Sequence, residues 1–120
     1  GLDLTSISAQ LILTSNLPKI SCEALYVDYS VLCDQKYEES DNSGLMLLRL
    51  MIKIGVSEVY IAGFDGFDEI VRNNYYTEEM INSVLPENID QKNFSITEQF
   101  KEIIKDIHIE TLTPSRYLHL

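Results

Sequence analysis

Residues 41–67, with the sequence DNSGLMLLRLMIKIGVSEVYIAGFDGF, carry a helix start, a helix stop, a strand and a glycine-rich turn in direct succession. Asp41, Asn42 or Ser43 can cap the helix, because their side-chain oxygens accept hydrogen bonds from the unpaired N–H groups of a first turn. Nearly every later position is apolar up to Gly55, a residue type that readily takes the left-handed conformation in which helices end. The pattern therefore predicts a mostly buried helix with two well-defined ends.

The same segment predicts a strand that leads directly into a functional turn. Residues 56–62 present little polar surface, which is typical of a strand in the centre of a parallel sheet. The turn Gly63-Phe64-Asp65-Gly66-Phe67 follows at once. Ligands of open α/β sheets bind beyond the carboxyl ends of the strands, so we expect a site at this turn. On the helix, Arg49 and Lys53 are four residues apart and are predicted to form its solvent-facing stripe.

The rest of the chain alternates between strand and helix signals. Ser95 and Glu98 have the spacing of a capping box and precede apolar residues at helical spacing. The predicted elements are a buried strand over 10–14, a strand over 24–29, a helix from Ser95 to Ile107 and a strand over 108–112, with an irregular excursion over the site between Asp68 and Asn93. Such alternation implies parallel pairing with right-handed crossovers. The predicted fold class is α/β, a Rossmann-like three-layer sandwich with a mostly parallel sheet of about four strands.

Length and composition favour one domain. A chain of 120 residues that is 45% hydrophobic can form one core, so we expect a single domain over 1–120. No apolar run is long enough to span a bilayer and no signal peptide is recognisable, which predicts a soluble protein without membrane contact. Cys22 and Cys33 lack CxxC spacing and are interpreted as reduced thiols of a cytoplasmic protein. The start at Gly1, close to the first strand, suggests the C-terminal piece of a longer polypeptide.

The formal net charge of -10 argues against nucleic acid as a partner, because an acidic protein repels a phosphate backbone. A small anionic ligand is still compatible with this charge. Backbone N–H groups and helix N-termini bind phosphate or carboxylate without basic side chains. The charge therefore leaves a nucleotide among the candidate ligands.

Polar groups follow all four predicted strands. They are Ser15-Asn16, Tyr29-Ser30, Gly63-Phe64-Asp65 and Thr113-Pro114-Ser115. Since the carboxyl ends of parallel strands share one edge of a sheet, these groups are predicted to form a ligand edge. The alternative is that they are ordinary polar turns, which follow strands in any α/β protein.

Each candidate at this edge has a functional and a structural interpretation. Asp65 can orient a ligand hydroxyl or act as a base, or it can hydrogen-bond its own turn. Ser43 and Gly44 can present amide groups to a phosphate oxygen, or simply begin a capped helix. Tyr75 and Tyr76 can stack on a ligand ring or donate to an anion, or anchor their loop to the core.

Signatures of metal, nucleophilic and cofactor chemistry are missing from the sequence. His108 and His119 belong to no His-x-His or His-Glu-x-x-His pattern. Neither cysteine has the flanking sequence of an activated thiol, and no Gly-x-Ser-x-Gly, Walker or GxGxxG motif occurs. We therefore expect neither a metal nor a cofactor.

Several segments together resemble the carboxyl-terminal region of bacterial 4-hydroxy-2-oxovalerate aldolase-like proteins. They are Ser15-Asn16, Tyr29-Ser30, Asp41-Asn42, Gly55 through Phe67, Asn74-Tyr75-Tyr76 and Thr113 through Tyr117. In that family an aldolase barrel related to the HMG-CoA lyases precedes such a domain. The resemblance implies an accessory domain of a lyase, whose partner is the barrel of the same parent chain. The barrel's metal cluster of histidines and an aspartate has no counterpart here, so we do not expect aldol cleavage by this fragment.

A more distant likeness is to bacterial sialyltransferases, which have a Ser-Gly at a helix start and a Gly-Ile-Asp-Phe-Tyr turn after the next strand. The matching positions are Ser43 and Gly44, the turn from Gly63 to Phe67, and Tyr75 or Tyr76 downstream. The likeness implies nucleotide contacts at the Ser-Gly and a pocket wall at the turn, and it makes Asn16, Ser43, Gly44 and Asp65 candidate binding residues. The family's turn ends in tyrosine where this chain has Phe67, and no histidine lies between Asp65 and the last helix.

Three functions remain open from the sequence. The first is an accessory domain that binds a nucleotide sugar or another phosphate-containing ligand without catalysis. The second is a sialyltransferase-like glycosyltransferase that uses Asp65 with Tyr75 or Tyr76. The third is a purely structural domain that docks onto the barrel or a partner subunit. The first two differ in whether a tyrosine reaches the Ser43 helix start, and the first and third in whether the sheet edge is a cleft or a packed surface.

Overall fold

The computed structural model of the protein describes residues 8–38, 40–68 and 88–118. The chain divides into two compact units, one that extends to Cys33 and one that runs from Asp34 to the end. No helix within the described ranges is long and apolar enough to cross a membrane. The predicted excursion between Asp68 and Asn93 lies mostly outside the described residues.

The first unit contains two parallel strands and one short helix. Strand β1 covers Leu11–Thr14, strand β2 covers Ala24–Val27 and helix α1 covers Tyr29–Leu32. The two strands pair in parallel with Leu11 opposite Ala24. The prediction of a strand through residue 29 is wrong at its end. Asp28 caps α1 instead, because its carboxylate accepts hydrogen bonds from both the backbone N–H and the hydroxyl of Ser30.

The described part of the second unit contains two helices and two further parallel strands. Its elements are α2 over Ser43–Lys53, β3 over Glu58–Ile61, α3 over Ile89–Ile103 and β4 over His108–Thr111. Strands β3 and β4 pair in parallel, with Glu58 opposite His108. The α/β class and the parallel pairing are therefore confirmed. The described strands form two sheets of two strands each, and the single four-stranded sandwich stays a prediction.

Helix α2 begins and ends as its sequence predicts. The side chain of Asn42 caps the first turn, and Gly55 takes a φ of 88° after the last turn. The N–H of Gly55 bonds to the carbonyl of Ile52 at 3.1 Å, and the N–H of Val56 bonds to that of Met51 at 2.9 Å. This pair of bonds is a Schellman motif, which satisfies two carbonyls that the helix end leaves unpaired.

Helix α3 begins six residues earlier than the predicted capping box. Ser95 lies inside the helix, and its hydroxyl accepts a hydrogen bond from the side-chain amide of Gln99 at 3.3 Å. The buried face of the helix extends upstream through Ile89 and Asn93. Because Asn93 on this face is polar, the helical spacing of apolar residues is interrupted in the sequence. The capping-box spacing of Ser95 and Glu98 then wrongly indicates the helix start.

The core of the second unit forms where α2 and α3 pack beside β4. Its buried members are Leu45, Leu48, Ile96, Phe100, Ile103, Ile107, Ile109 and Tyr117. Phe100 is fully buried and contacts two aromatic rings. Its ring centre lies 5.5 Å from that of Phe64 in an edge-to-face arrangement and 5.6 Å from that of Tyr117 in a stacked arrangement. These rings connect the core to the turn after β3.

Arg49 does not lie on a solvent stripe with Lys53, so that prediction is wrong. Its guanidinium donates to the side-chain oxygen of the fully buried Gln99 and to the carbonyl of Ser40, the latter at 3.1 Å. The aliphatic part of an arginine side chain can lie along an apolar surface while its guanidinium reaches such acceptors. The bond to Gln99 links α2 to α3.

Candidate functional site

The turn after β3 is built on two glycines that take left-handed conformations. Gly63 has a φ of 79° and Gly66 a φ of 98°. Residues that carry a side chain rarely adopt such φ angles, so the backbone of this turn favours glycine at both positions. The N–H of Gly63 donates to the hydroxyl of Thr113 at 2.9 Å, and this hydroxyl lies 3.4 Å from a carboxylate oxygen of Asp65. Thr113 thus joins the carboxyl-terminal ends of β3 and β4.

The far end of the turn is held by Asn93 of α3. The Asn93 side chain accepts from the N–H of Phe67 at 3.0 Å and donates to the carbonyl of Phe67 at 2.9 Å. The same side-chain oxygen accepts from the hydroxyl of Tyr117 at 2.8 Å. Because Asn93 is buried, these bonds satisfy groups that water cannot reach freely. The Asn93 side-chain amide therefore pairs with both backbone polar groups of Phe67, as the backbone of a neighbouring strand would.

A cavity of about 390 Å³ opens beside this turn. Its lining combines aromatic rings with backbone and side-chain polar groups. The lining residues are Asn42, Gly44, Gly63, Phe64, Asp65, Gly66, Phe67, Ile96 and Tyr117. A volume of this order accommodates a small molecule, and the mixture of apolar walls with a few polar groups is typical of ligand sites.

The start of α2 borders the cavity, but its first amides already have partners. The side-chain oxygen of Asn42 accepts from the N–H of Gly44 at 3.0 Å and from that of Leu45 at 3.2 Å. The Phe64 ring also packs directly on Gly44, since a Cβ at this position would lie 2.1 Å from Cζ of the ring. A phosphate at these amides would have to displace the Asn42 side chain. Glycine is required at position 44 because the Phe64 ring occupies the space that a side chain would need.

The predicted site residues are only partly brought together. Gly44, Gly63 and Asp65 line the cavity. Ser43 is the exposed first residue of α2 and is not in the lining. The Ser115 hydroxyl accepts from the N–H of Tyr117 at 3.3 Å and stabilises its own turn.

The other three candidates lie in the first unit or outside the described residues. Asn16 is an exposed residue of the first unit, in the turn after β1. Tyr75 and Tyr76 lie outside the described residues, so the predicted contact between a tyrosine and the start of α2 stays a prediction.

Sequence reasoning missed the residues that position the turn, above all Asn93, Tyr117 and Arg116. The available signal was the place of Asn93 on the apolar face of α3, seven residues before Phe100. A buried amide at such a position requires specific partners. Its partner Phe67 is 26 residues away, and no local pattern identifies a bond over that separation.

Charge around the turn is mixed. Asp65 is exposed and contributes a carboxylate, whereas two cations lie at Phe67. The ammonium group of Lys92 lies 5.4 Å from the centre of the Phe67 ring, and Arg116 donates to the Phe67 carbonyl at 2.9 Å. Burial raises the pKa of the Tyr117 hydroxyl above its usual value, so it remains a neutral donor at physiological pH.

No group of three or more histidine, cysteine, aspartate or glutamate side chains in the described ranges could hold a metal ion. Comparison with protein-family models, with curated proteins and with solved structures finds no match in any of the three. The site must therefore be interpreted from its own geometry.

Proposed function

We propose that the protein is a Rossmann-like accessory domain that binds a nucleotide sugar or a related phosphate-containing molecule and does not catalyse aldol cleavage by itself. The observation that carries this proposal is the cavity of about 390 Å³ beside the Gly63–Phe67 turn. It lies at the carboxyl-terminal edge of a parallel pair of strands, where α/β proteins bind ligands. The proposed parent is an aldolase-like protein and the proposed sheet has about four strands.

The cavity lining suits a ligand with a ring and hydroxyl groups, and the basic residues next to the lining suit an anionic group. Phe64 and Phe67 offer apolar surface, and the exposed carboxylate of Asp65 can accept hydrogen bonds from sugar hydroxyls. Lys92 and Arg116 place positive charge at Phe67. A nucleotide sugar carries all three of the features that these groups complement.

Two alternative functions make different predictions. A sialyltransferase-like enzyme requires a donor for the departing phosphate, and the residue at the end of the turn is Phe67, which has no hydroxyl. Losing one such donor typically costs about 3 kcal/mol of transition-state stabilisation. A purely structural docking domain requires no ligand at the cavity. Ligand binding without glycosyl transfer distinguishes our proposal from both.

The test is a thermal unfolding experiment on the purified protein with a panel of nucleotides and nucleotide sugars, CMP and CMP-sialic acid included. A ligand at a hundred times its dissociation constant adds about 2.7 kcal/mol, enough to raise the midpoint by several degrees. A rise with at least one of these ligands supports the proposal. No rise with any of them, in a well-folded sample, contradicts it and favours the docking domain.

Asp65 should be necessary for binding but not for folding. The Asp65→Asn variant removes an acceptor from the cavity while its exposed position tolerates the change, so affinity should fall about tenfold with little change in the unfolding midpoint. The matched control is Asp106→Asn. Asp106 is an exposed aspartate that precedes β4, so it lies at the opposite end of this strand from Thr113 and the turn. Equal affinity in the two variants, measured by calorimetry, would remove Asp65 from the site.

A further inference from the structure

The basic residues of the second unit differ in how they are paired. Lys36, Lys101 and Lys105 each form an ion pair with a nearby carboxylate. Arg49 is bonded to Gln99 and Ser40. Within the described part of this unit, the basic side chains outside these pairings are Lys53, Lys92 and Arg116. Two of these three meet at Phe67.

Lys92 and Arg116 reach Phe67 from different elements. Lys92 belongs to α3, and its Nζ lies 5.4 Å from the centre of the Phe67 ring. Arg116 follows β4, and its Nη1 donates to the Phe67 carbonyl at 2.9 Å. The aliphatic part of Arg116 covers Gly66, where a Cβ would lie 2.3 Å from the arginine Cδ. Gly66 thus permits the close approach of Arg116 to the turn.

We propose that Lys92 and Arg116, which are not in the cavity lining but contact its lining residues Gly66 and Phe67, form an anion subsite at the border of the cavity and bind the phosphate or carboxylate group of its ligand. This inference rests on the proposed function and names the residues that recognise the charged part of the ligand. A guanidinium has five N–H donors, and the bond to Phe67 uses one of them. The remaining donors have the fork geometry that matches phosphate and carboxylate oxygens.

The start of α2 is a weaker anion site than the proposed subsite of Lys92 and Arg116. Its first amide groups already donate to Asn42, and the Phe64 ring lies against Gly44. Binding at Phe67 requires no such displacement, because Lys92 and Arg116 are not in ion pairs with described residues. An anion there also gains from charge-assisted hydrogen bonds, which are about twice as strong as neutral ones.

The acidic charge of the chain limits which anions bind but does not prevent binding. Long-range repulsion from the net charge of -10 is screened over about 8 Å at physiological salt. Asp65 and Asp68 lie next to the proposed subsite in the sequence and disfavour a second anionic group beside it.

The experiment measures binding of inorganic phosphate and of CMP to the full chain and to three single variants. Lys92→Gln and Arg116→Gln should each weaken binding of both probes about tenfold, because each removes a charged donor. Lys53→Gln is the matched control, since Lys53 is an unpaired lysine at the last turn of α2. The helix separates it from Gly44 by roughly 14 Å, and binding should not change.

Arg116→Lys tests whether charge or fork geometry is needed, and it should recover part of the lost affinity. Chemical shift changes of the Gly66 and Phe67 amides report the site directly, and unliganded unfolding midpoints show that each variant is folded.

Saturable binding that depends on Lys92 and Arg116 supports the proposal for phosphate even if no nucleotide binds, in which case only the proposed function fails. CMP binding that is equal in all variants overturns the subsite and leaves the proposed function standing. No phosphate binding up to about 10 mM also overturns it, since weaker affinity is below that of a specific site.

Discussion

A methyl group at Gly44 would collide with the ring of Phe64, whose Cζ lies 2.1 Å from the position of that methyl. The same ring makes an edge-to-face contact with Phe100 in the core, so it cannot move away without cost. We expect Gly44→Ala to lower the free energy of unfolding by about 1–3 kcal/mol, although alanine is the better helix former. Urea unfolding measures the change.

Ser43→Ala is the control for that substitution, because Ser43 is the exposed neighbour at the start of the same helix. Its effect should stay within about 0.5 kcal/mol. A Gly44→Ala variant as stable as Ser43→Ala would show that the Phe64 ring does not require the glycine.

Tyr117 should make stability depend on pH in the alkaline range. Burial raises the pKa of its hydroxyl above the usual 10.0, because the ionised form loses hydration in the folded state. A pKa that is higher in the folded than in the unfolded chain stabilises the protein below pH 10, and this contribution is lost as the pH rises through the folded-state pKa. The free energy of unfolding should therefore fall between pH 10.0 and the folded-state pKa of Tyr117 and level off above it.

The measurement is urea unfolding of the wild type and of Tyr117→Phe between about pH 8 and pH 11. The variant lacks the ionising group and should lose the part of the decline that belongs to Tyr117. Tyr60, whose pKa is raised by its hydrogen bond to Glu58, is unchanged in both proteins and cancels from the comparison. Identical pH profiles would contradict the role of Tyr117.

At the scale of an element, helix α2 depends on its cap. The Asn42 side chain accepts from two amides of the first turn, at 3.0 Å and 3.2 Å. Asn42→Ala should cost about 1 kcal/mol of stability, whereas Asn42→Asp keeps an acceptor and should cost much less. Chemical denaturation of both variants tests this. Equal losses would mean that the amide is needed for a reason other than capping.

At the scale of the whole molecule, the second unit carries its own core. The buried core cluster lies between Leu45 and Tyr117, inside the unit that begins at Asp34. We therefore expect the polypeptide 34–120 to unfold cooperatively by itself, as domains with their own core do. Thermal unfolding followed by circular dichroism checks this. A gradual, non-cooperative loss of signal, or loss of amide protection at Phe100 and Ile109, would contradict it.

The sequence by itself determined the features that depend on near neighbours. The helix cap within residues 41–43, the left-handed stop at Gly55 and the glycine turn after β3 all involve bonds within a few residues or the conformational freedom of glycine. The parallel α/β class followed from the alternation of strands and helices. The expectation that Gly63 and Asp65 lie at a strand's carboxyl end followed in turn, and both line the cavity.

Only the tertiary structure decided how the turn is held and where charge gathers around it. Asn93 and Phe67 are 26 residues apart, Arg116 and Phe67 are 49 apart, and Arg49 meets Gln99 across 50 residues. The packing of the Phe64 ring on Gly44, across 20 residues of sequence, is likewise visible only in the tertiary structure. Side chains that meet across such separations leave no periodic trace in the sequence, because their spacing is set by the packing of α2, α3 and the strands and not by the geometry of any one element.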